Sequence, residues 1–167
     1  MSNSNVNSEI FNRLLVAPSA VMLIVSLLFC NFINSVTPAA LIEAVPGIMR
    51  FSAITEFSDE AKSMWSMFWI STPVFFVLTI YISVFAKMEK KAGVLFNLLC
   101  SAFCALLLLM IGLFLYYGPS PDPDPGPKTT LYQHSYLFFM VLSWSVWIGP
   151  YALLYGFLKG IFVNFEK

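Results

Sequence analysis

The sequence predicts an all-α integral membrane protein: four transmembrane helices in a compact bundle, with both termini cytoplasmic. Three observations predict it. Of the 167 residues, 59% are hydrophobic and only 11% are charged, and the mean hydropathy is +0.79, whereas an ordinary soluble domain is about 45–50% apolar. Residues 92–117, AGVLFNLLCSAFCALLLLMIGLFLYY, run without a charge or a proline. At ~1.5 Å per residue that stretch crosses a hydrocarbon layer of ~30 Å with some tilt. Three further apolar runs of similar length are spread along the chain, too evenly for a single anchor.

Residues 1–13, MSNSNVNSEIFNR, form a polar tail with too little apolar surface to fold alone. Arg13 abuts the first span, about 14–34. A cleaved signal peptide competes with this reading, since Pro38-Ala39-Ala40 offers small residues for cleavage. The long polar tail, Glu9 within it and the length of the apolar run favour a retained span. Residues 35–62 are half polar. Within them LIEAVPGIMRFSAI, broken at Pro46-Gly47, reads either as a short helix in the membrane interface or as a loop packed over the ends of the spans. Glu56, Asp59 and Glu60 place carboxylates where the positive end of a helix starting near Ser58 would hold them.

The second span is about 64–86, with Trp65 and Trp69 near its start as an interfacial aromatic belt. KMEKK, residues 87–91, is so short a turn that spans two and three are expected as a tight hairpin. The third span is 92–117. After it, the alternating prolines of GPSPDPDPGPK block helix and ladder alike and make a stiff, solvated connector. The fourth span is about 136–158, and 159–167 is a short tail. The membrane domain is thus 14–158. Arg13, Lys87, Lys90, Lys91, Lys159 and Lys167 fall on one side and only Arg50, Lys62 and Lys128 on the other. The positive-inside rule therefore puts both termini in the cytoplasm.

Each span has a face. In the third, Gly93, Asn97, Ser101, Cys104, Ala105 and Gly112 share a stripe at helical spacing, with Leu95, Leu99, Leu106, Met110 and Leu113 opposite. The fourth has Ser145, Gly149, Ala152, Gly156 and Gly160; the second has Thr72, Thr79 and Ser83; the first has Ser19, Ser26 and Cys30. Such stripes let membrane helices approach closely and exchange hydrogen bonds. Pro18, Pro73 and Pro150 each remove a backbone donor and should kink their spans, with hydroxyls such as that of Thr72 able to bond the freed carbonyls.

A search for chemistry excludes more than it finds. The four span cores hold no Asp, Glu, Lys, Arg or His, which argues against a proton-coupled transporter, a voltage sensor or a charged-ring channel. His134 is the only histidine, and neither CxxC nor HExxH is present, so no metal site is expected. Ser135 beside His134 makes no triad, because adjacent helical side chains do not converge and no orienting carboxylate is expected nearby. Cys30, Cys100 and Cys104 sit in apolar runs as packing residues. Zero net charge gives no field to attract nucleic acid. The expectation is a protein that is not an enzyme, takes no cofactor and binds no small-molecule substrate. On the fourth span Trp144, Ile148, Tyr151 and Tyr155 form a second face. Its residues either fill the bundle or dock a helix of another protein, as aromatic anchors do; Thr72, Trp144, Tyr151 and Tyr155 are the candidate partner-binding residues.

In layout the chain resembles the immunity proteins of A-type pore-forming colicins. The local likeness lies in Thr37-Pro38-Ala39-Ala40-Leu41 after span one, and in Phe68-Trp69-Ile70-Ser71-Thr72-Pro73 followed by Tyr81-Ile82 and Lys87. Span three and the Pro/Asp connector match by position only, and the basic C-terminal end is thin. The resemblance implies an inner-membrane protein of a bacteriocin-producing cell that binds the pore-forming domain of its toxin within the bilayer and prevents channel opening. The alternative is a small accessory or assembly subunit of a larger membrane complex; a channel or transporter built by oligomerisation is a third.

Overall fold

A computed structural model describes residues 9–85, 93–119 and 127–162, and among these the only regular structure is helical. The KMEKK turn, most of the Pro/Asp connector, residues 1–8 of the polar N-terminal tail and residues 163–167 of the C-terminal tail lie outside the described residues. One π-helical turn, Asn12–Val16, leads into α1, Ala17–Leu28. Then come α2 (Cys30–Val36), α3 (Ala39–Ala44), α4 (Pro46–Ala53), α5 (Ser58–Phe85), α6 (Val94–Tyr117), α7 (Pro127–His134) and α8 (Tyr136–Phe162). Among the described residues, four helical stretches are long and apolar enough to cross a membrane: Glu9–Leu28, Ser58–Val84, Val94–Tyr117 and Tyr136–Phe162. The chain has the make-up of a multi-pass membrane protein.

The boundaries show what periodicity missed. The first apolar run is broken at Phe29, where neither proline nor glycine marks a stop. α2 ends at Thr37 in extended geometry, as the residue before a proline prefers, and the Thr37 hydroxyl donates to the carbonyl of Ile33 at 2.7 Å. α5 starts at Ser58 with Asp59 and Glu60 in its first turn, as expected. α8 runs on through Lys159, which is buried.

α8 is the organising helix. It packs on α6, α5, α7 and α1, while α5 packs on α1, α2 and α4. The hairpin expected of spans two and three does not govern the packing. α6 leans on α8 and α4 rather than along α5, and a ring contact between Trp69 and Tyr116 at 6.4 Å joins α5 to α6 near one end.

Within residues 35–62, α4 is a short helix packed against the ends of two spans. Ile48, Phe51 and Ser52 are buried, and Phe51 stacks on Trp65 of α5 at 4.3 Å while meeting Phe114 of α6 edge-on at 5.4 Å. Its crossing with the end of α6 is backbone on backbone. A Cβ on Gly47 would stand 2.1 Å from the Leu115 carbonyl oxygen. Gly118 ends α6 at φ +73°, where a side chain would be strained and would also meet the Cβ of Arg50 at 2.8 Å. Next to α4, the Glu56 N–H donates to the Gln133 carbonyl at 3.2 Å, the Thr55 hydroxyl donates to that of Tyr132 at 3.3 Å, and Glu56 pairs with His134 Nδ1 at 2.7 Å. These contacts fasten α7 to the segment before α5.

The prolines act locally. Pro18 has no N–H for the Leu14 carbonyl, and its ring crowds that turn; the helix widens there, with the Ala17 N–H reaching Asn12 O five residues back. α5 and α8 continue through Pro73 and Pro150. The hydroxyls of Thr72 and Ser71 donate to the Phe68 carbonyl at 2.8 and 3.1 Å, one residue before the Trp69 carbonyl that Pro73 frees.

Candidate recognition surfaces

The structure brings Thr72 and Tyr151 together and sets the other two candidates beside them on inward-turned faces. Tyr151 is 4% exposed, its hydroxyl shares a hydrogen bond with that of Thr72 at 3.0 Å, and its ring stacks on Phe75 at 5.3 Å. Trp144 is half-buried and donates from Nε1 to the Ser19 hydroxyl of α1 at 3.3 Å. Tyr155, also half-buried, meets Phe11 at 5.3 Å. The aromatic row of α8 thus faces α5 and the first span. An outside helix reaches Tyr151 only if these contacts open.

α8 places this row in register with α5. Ser143, Trp147, Tyr151 and Leu154 are all buried on one side of α8, at the three- and four-residue spacing of a helix face. Trp65, Phe68, Thr72 and Phe75 follow the same spacing on α5. Phe68 lies between them, with ring contacts to Trp65, Trp147 and Tyr151 at 5.8, 5.8 and 6.2 Å. Trp65, expected at the membrane interface, is instead a core residue at 2% exposure; Trp69 is half-buried.

The small-residue stripes divide in two. Where α6 meets α8, Ser101 donates to the Phe157 carbonyl at 2.7 Å. A Cβ on Gly160 would lie 2.9 Å from Ser101 Cβ and 3.0 Å from the Asn97 carbonyl, and one on Gly156 would lie 3.2 Å from Cys104 Sγ. The polar stripe of α6 therefore faces α8 over this half. Leu95, Leu99, Leu106, Met110 and Leu113 point outward, as the periodicity predicts. Over the other half, a Cβ on Gly112 or Gly149 would meet nothing within 4 Å, and Ser145 and Ala152 are exposed. On α1, Ser26 accepts through its carbonyl from the Ser63 hydroxyl of α5 at 2.8 Å, a link between two spans that sequence spacing does not reveal.

Several unpaired buried polar atoms were also not anticipated. Trp65 Nε1, Ser66 Oγ, Tyr132 Oη, Ser143 Oγ and Trp147 Nε1 are enclosed without a hydrogen-bond partner of good geometry. Trp65 and Ser143 are polar neighbours of the Tyr132 hydroxyl, and burial pushes that phenol above its usual pKa of 10.0. The one sequence signal was the four-residue spacing of Ser143 and Trp147, which reads equally well as a lipid-facing row. Among the described residues no group of three His, Cys, Asp or Glu side chains gathers to hold a metal.

Comparison with protein-family models, with curated proteins and with solved structures finds no match for this chain.

Proposed function

We propose that this chain is a bacteriocin immunity protein of the bacterial inner membrane, with both termini cytoplasmic. In this reading it binds the pore-forming domain of a cognate toxin within the bilayer and keeps its channel closed. Such work needs surfaces rather than reacting groups. The observation that supports the reading most is how the spans divide their residues. Ser63, Thr72 and Ser101 spend their hydroxyls inside the chain. α6 turns Leu95, Leu99, Phe103, Leu106, Met110 and Leu113 outward, and Gly112 leaves room for a Cβ. An uncharged face of this kind can receive an apolar helix by close packing. The likeness of residues 37–41, 68–73 and 81–82 to the colicin-immunity pattern supplies the class of partner, and the distribution of Lys and Arg supports the orientation.

The test is protection. The protein is expressed in toxin-sensitive cells, its membrane abundance is verified, and the cells are challenged with a panel of colicin-like pore formers. Survival against one member and not the others is the expected result. Unaltered killing by every member, including any pore former encoded beside its own gene, sinks the reading. The same α6 face would also serve a permanent accessory subunit. A larger assembly on native gels from cells that make no toxin would favour that alternative.

A further inference from the structure

We propose that the start of the first span is a binding site for a phospholipid with an amine-bearing zwitterionic headgroup, of the phosphatidylethanolamine class. The site begins with Pro18, which opens the helix into the π turn at Asn12–Val16. Against this widened turn lies an open groove of about 510 Å³ lined by Arg13, Ala17, Pro18, Val21, Met22 and Val25. Leu15, Ser19, Leu23 and Ser26 are buried toward the bundle, whereas Val21 is 59% exposed. The groove is therefore on the outward side of the span.

Arg13, Ala17, Val21 and Val25 stand four residues apart, one above another on the helix face. Twelve residues at a rise of ~1.5 Å make a strip of about 18 Å, close to one leaflet's share of a hydrocarbon core of ~30 Å. The strip is apolar throughout except at its end, where the exposed Arg13 guanidinium pairs with Glu9 one turn earlier. One carboxylate leaves several of the five guanidinium N–H donors available. The pair carries both signs and no net charge, so it complements a headgroup that carries both: phosphate on Arg13 and primary ammonium on Glu9. A headgroup bearing phosphate alone would leave Glu9 unmatched. A quaternary ammonium would have no N–H to give it. The proposal does not depend on the immunity reading.

Native mass spectrometry of the full chain, released from vesicles holding equal phosphatidylethanolamine, phosphatidylglycerol and phosphatidylcholine of matched acyl chains, tests it. Wild type should retain phosphatidylethanolamine above the other two. Arg13→Gln should lower its retention roughly tenfold, as loss of a charge-assisted contact does. Glu9→Gln should turn the preference toward phosphatidylglycerol. Val21→Trp, which fills the groove from an exposed position, should lower retention of all three; unfolding midpoints confirm that the variants are folded. Equal retention of the three lipids by wild type overturns the proposal, as does a phosphatidylglycerol preference that Glu9→Gln leaves unchanged. Retention unaffected by Val21→Trp overturns the groove itself.

Discussion

Along α8, the side toward α6 and the side toward α5 are packed by different means. Toward α6 the contact is made by what is missing: Gly156 and Gly160 bring the backbone down onto Cys104, Ser101 and Asn97. Toward α5 it is made by bulk, with Trp147 and Tyr151 set among Phe68, Phe75 and Thr72. Lipid tails are as apolar as leucine, so neither seam gains from leaving water, and both depend on close packing and internal hydrogen bonds. The glycine seams should then fail when anything is added, and the aromatic seam when something is taken away. The Gly47 crossing is the extreme case of the first kind.

Gly47→Ala should have the largest effect. Its Cβ would lie 2.1 Å from one backbone carbonyl oxygen and 2.9 Å from the next, and neither can rotate aside. Overpacking of this kind costs about 3 kcal/mol, here by prying α4 from the end of α6. Thermal unfolding in detergent reads it, and a midpoint equal to wild type would show that α4 does not sit against α6 as described. Trp147→Ala comes next. A soluble core would lose ~3–5 kcal/mol, but lipid already accommodates apolar groups, so mainly the cavity and dispersion losses remain. About 2 kcal/mol is expected, and Trp147→Phe should recover most of it.

How much of this was legible in the sequence follows from the same physics. The four spans were, because long uncharged runs have few other homes. The α6 stripe was too, because Asn97, Ser101 and Cys104 stand out in a leucine-rich helix, and they do face α8. The direction of the aromatic row was not. In a membrane Trp144 or Tyr151 is as comfortable toward lipid as toward a neighbour, so periodicity finds the row without saying which way it looks. Nor was the packing of α4: a short helix was one of the two readings of this segment, but the reason for Gly47 is the carbonyl of Leu115, far along the chain. The break at Phe29 has no local signal at all. The small stripe of α8 was one pattern in sequence but two environments in structure, closed at Gly156 and Gly160 and open at Gly149.

That split gives the next prediction. Gly160→Ala should cost about 1–2 kcal/mol, since Ser101 Cβ at 2.9 Å must shift and the Asn97 carbonyl oxygen at 3.0 Å must yield by a few tenths of an ångström. Gly149→Ala sets its methyl against no neighbouring helix and meets only the ring of Pro150 that follows it, a local crowding that offsets the gain in helix propensity, so it should be close to neutral. The unfolding midpoint should therefore fall for Gly160→Ala and stay near wild type for Gly149→Ala. Equal losses at both would show that the stripe acts as a single seam.

The smallest effect concerns Tyr132, on α7 outside the spans, and it sharpens the aromatic side of the comparison. Its hydroxyl is enclosed near Trp65 and Ser143 without a well-formed hydrogen bond, and burial raises its pKa above 10.0. A phenol whose pKa is higher folded than unfolded stabilises the fold fully below pH 10, because both states then hold the proton. As pH rises above 10 the unfolded chain releases it first, and the stabilisation is lost up to the folded-state pKa. Wild type should therefore lose stability relative to Tyr132→Phe as pH climbs from 9 to 11, with the two profiles parallel below that window. Other tyrosines titrate in both proteins and cancel in the difference. Profiles that stay parallel throughout would mean that the Tyr132 hydroxyl reaches water, and that α7 does not seal this end of the aromatic core.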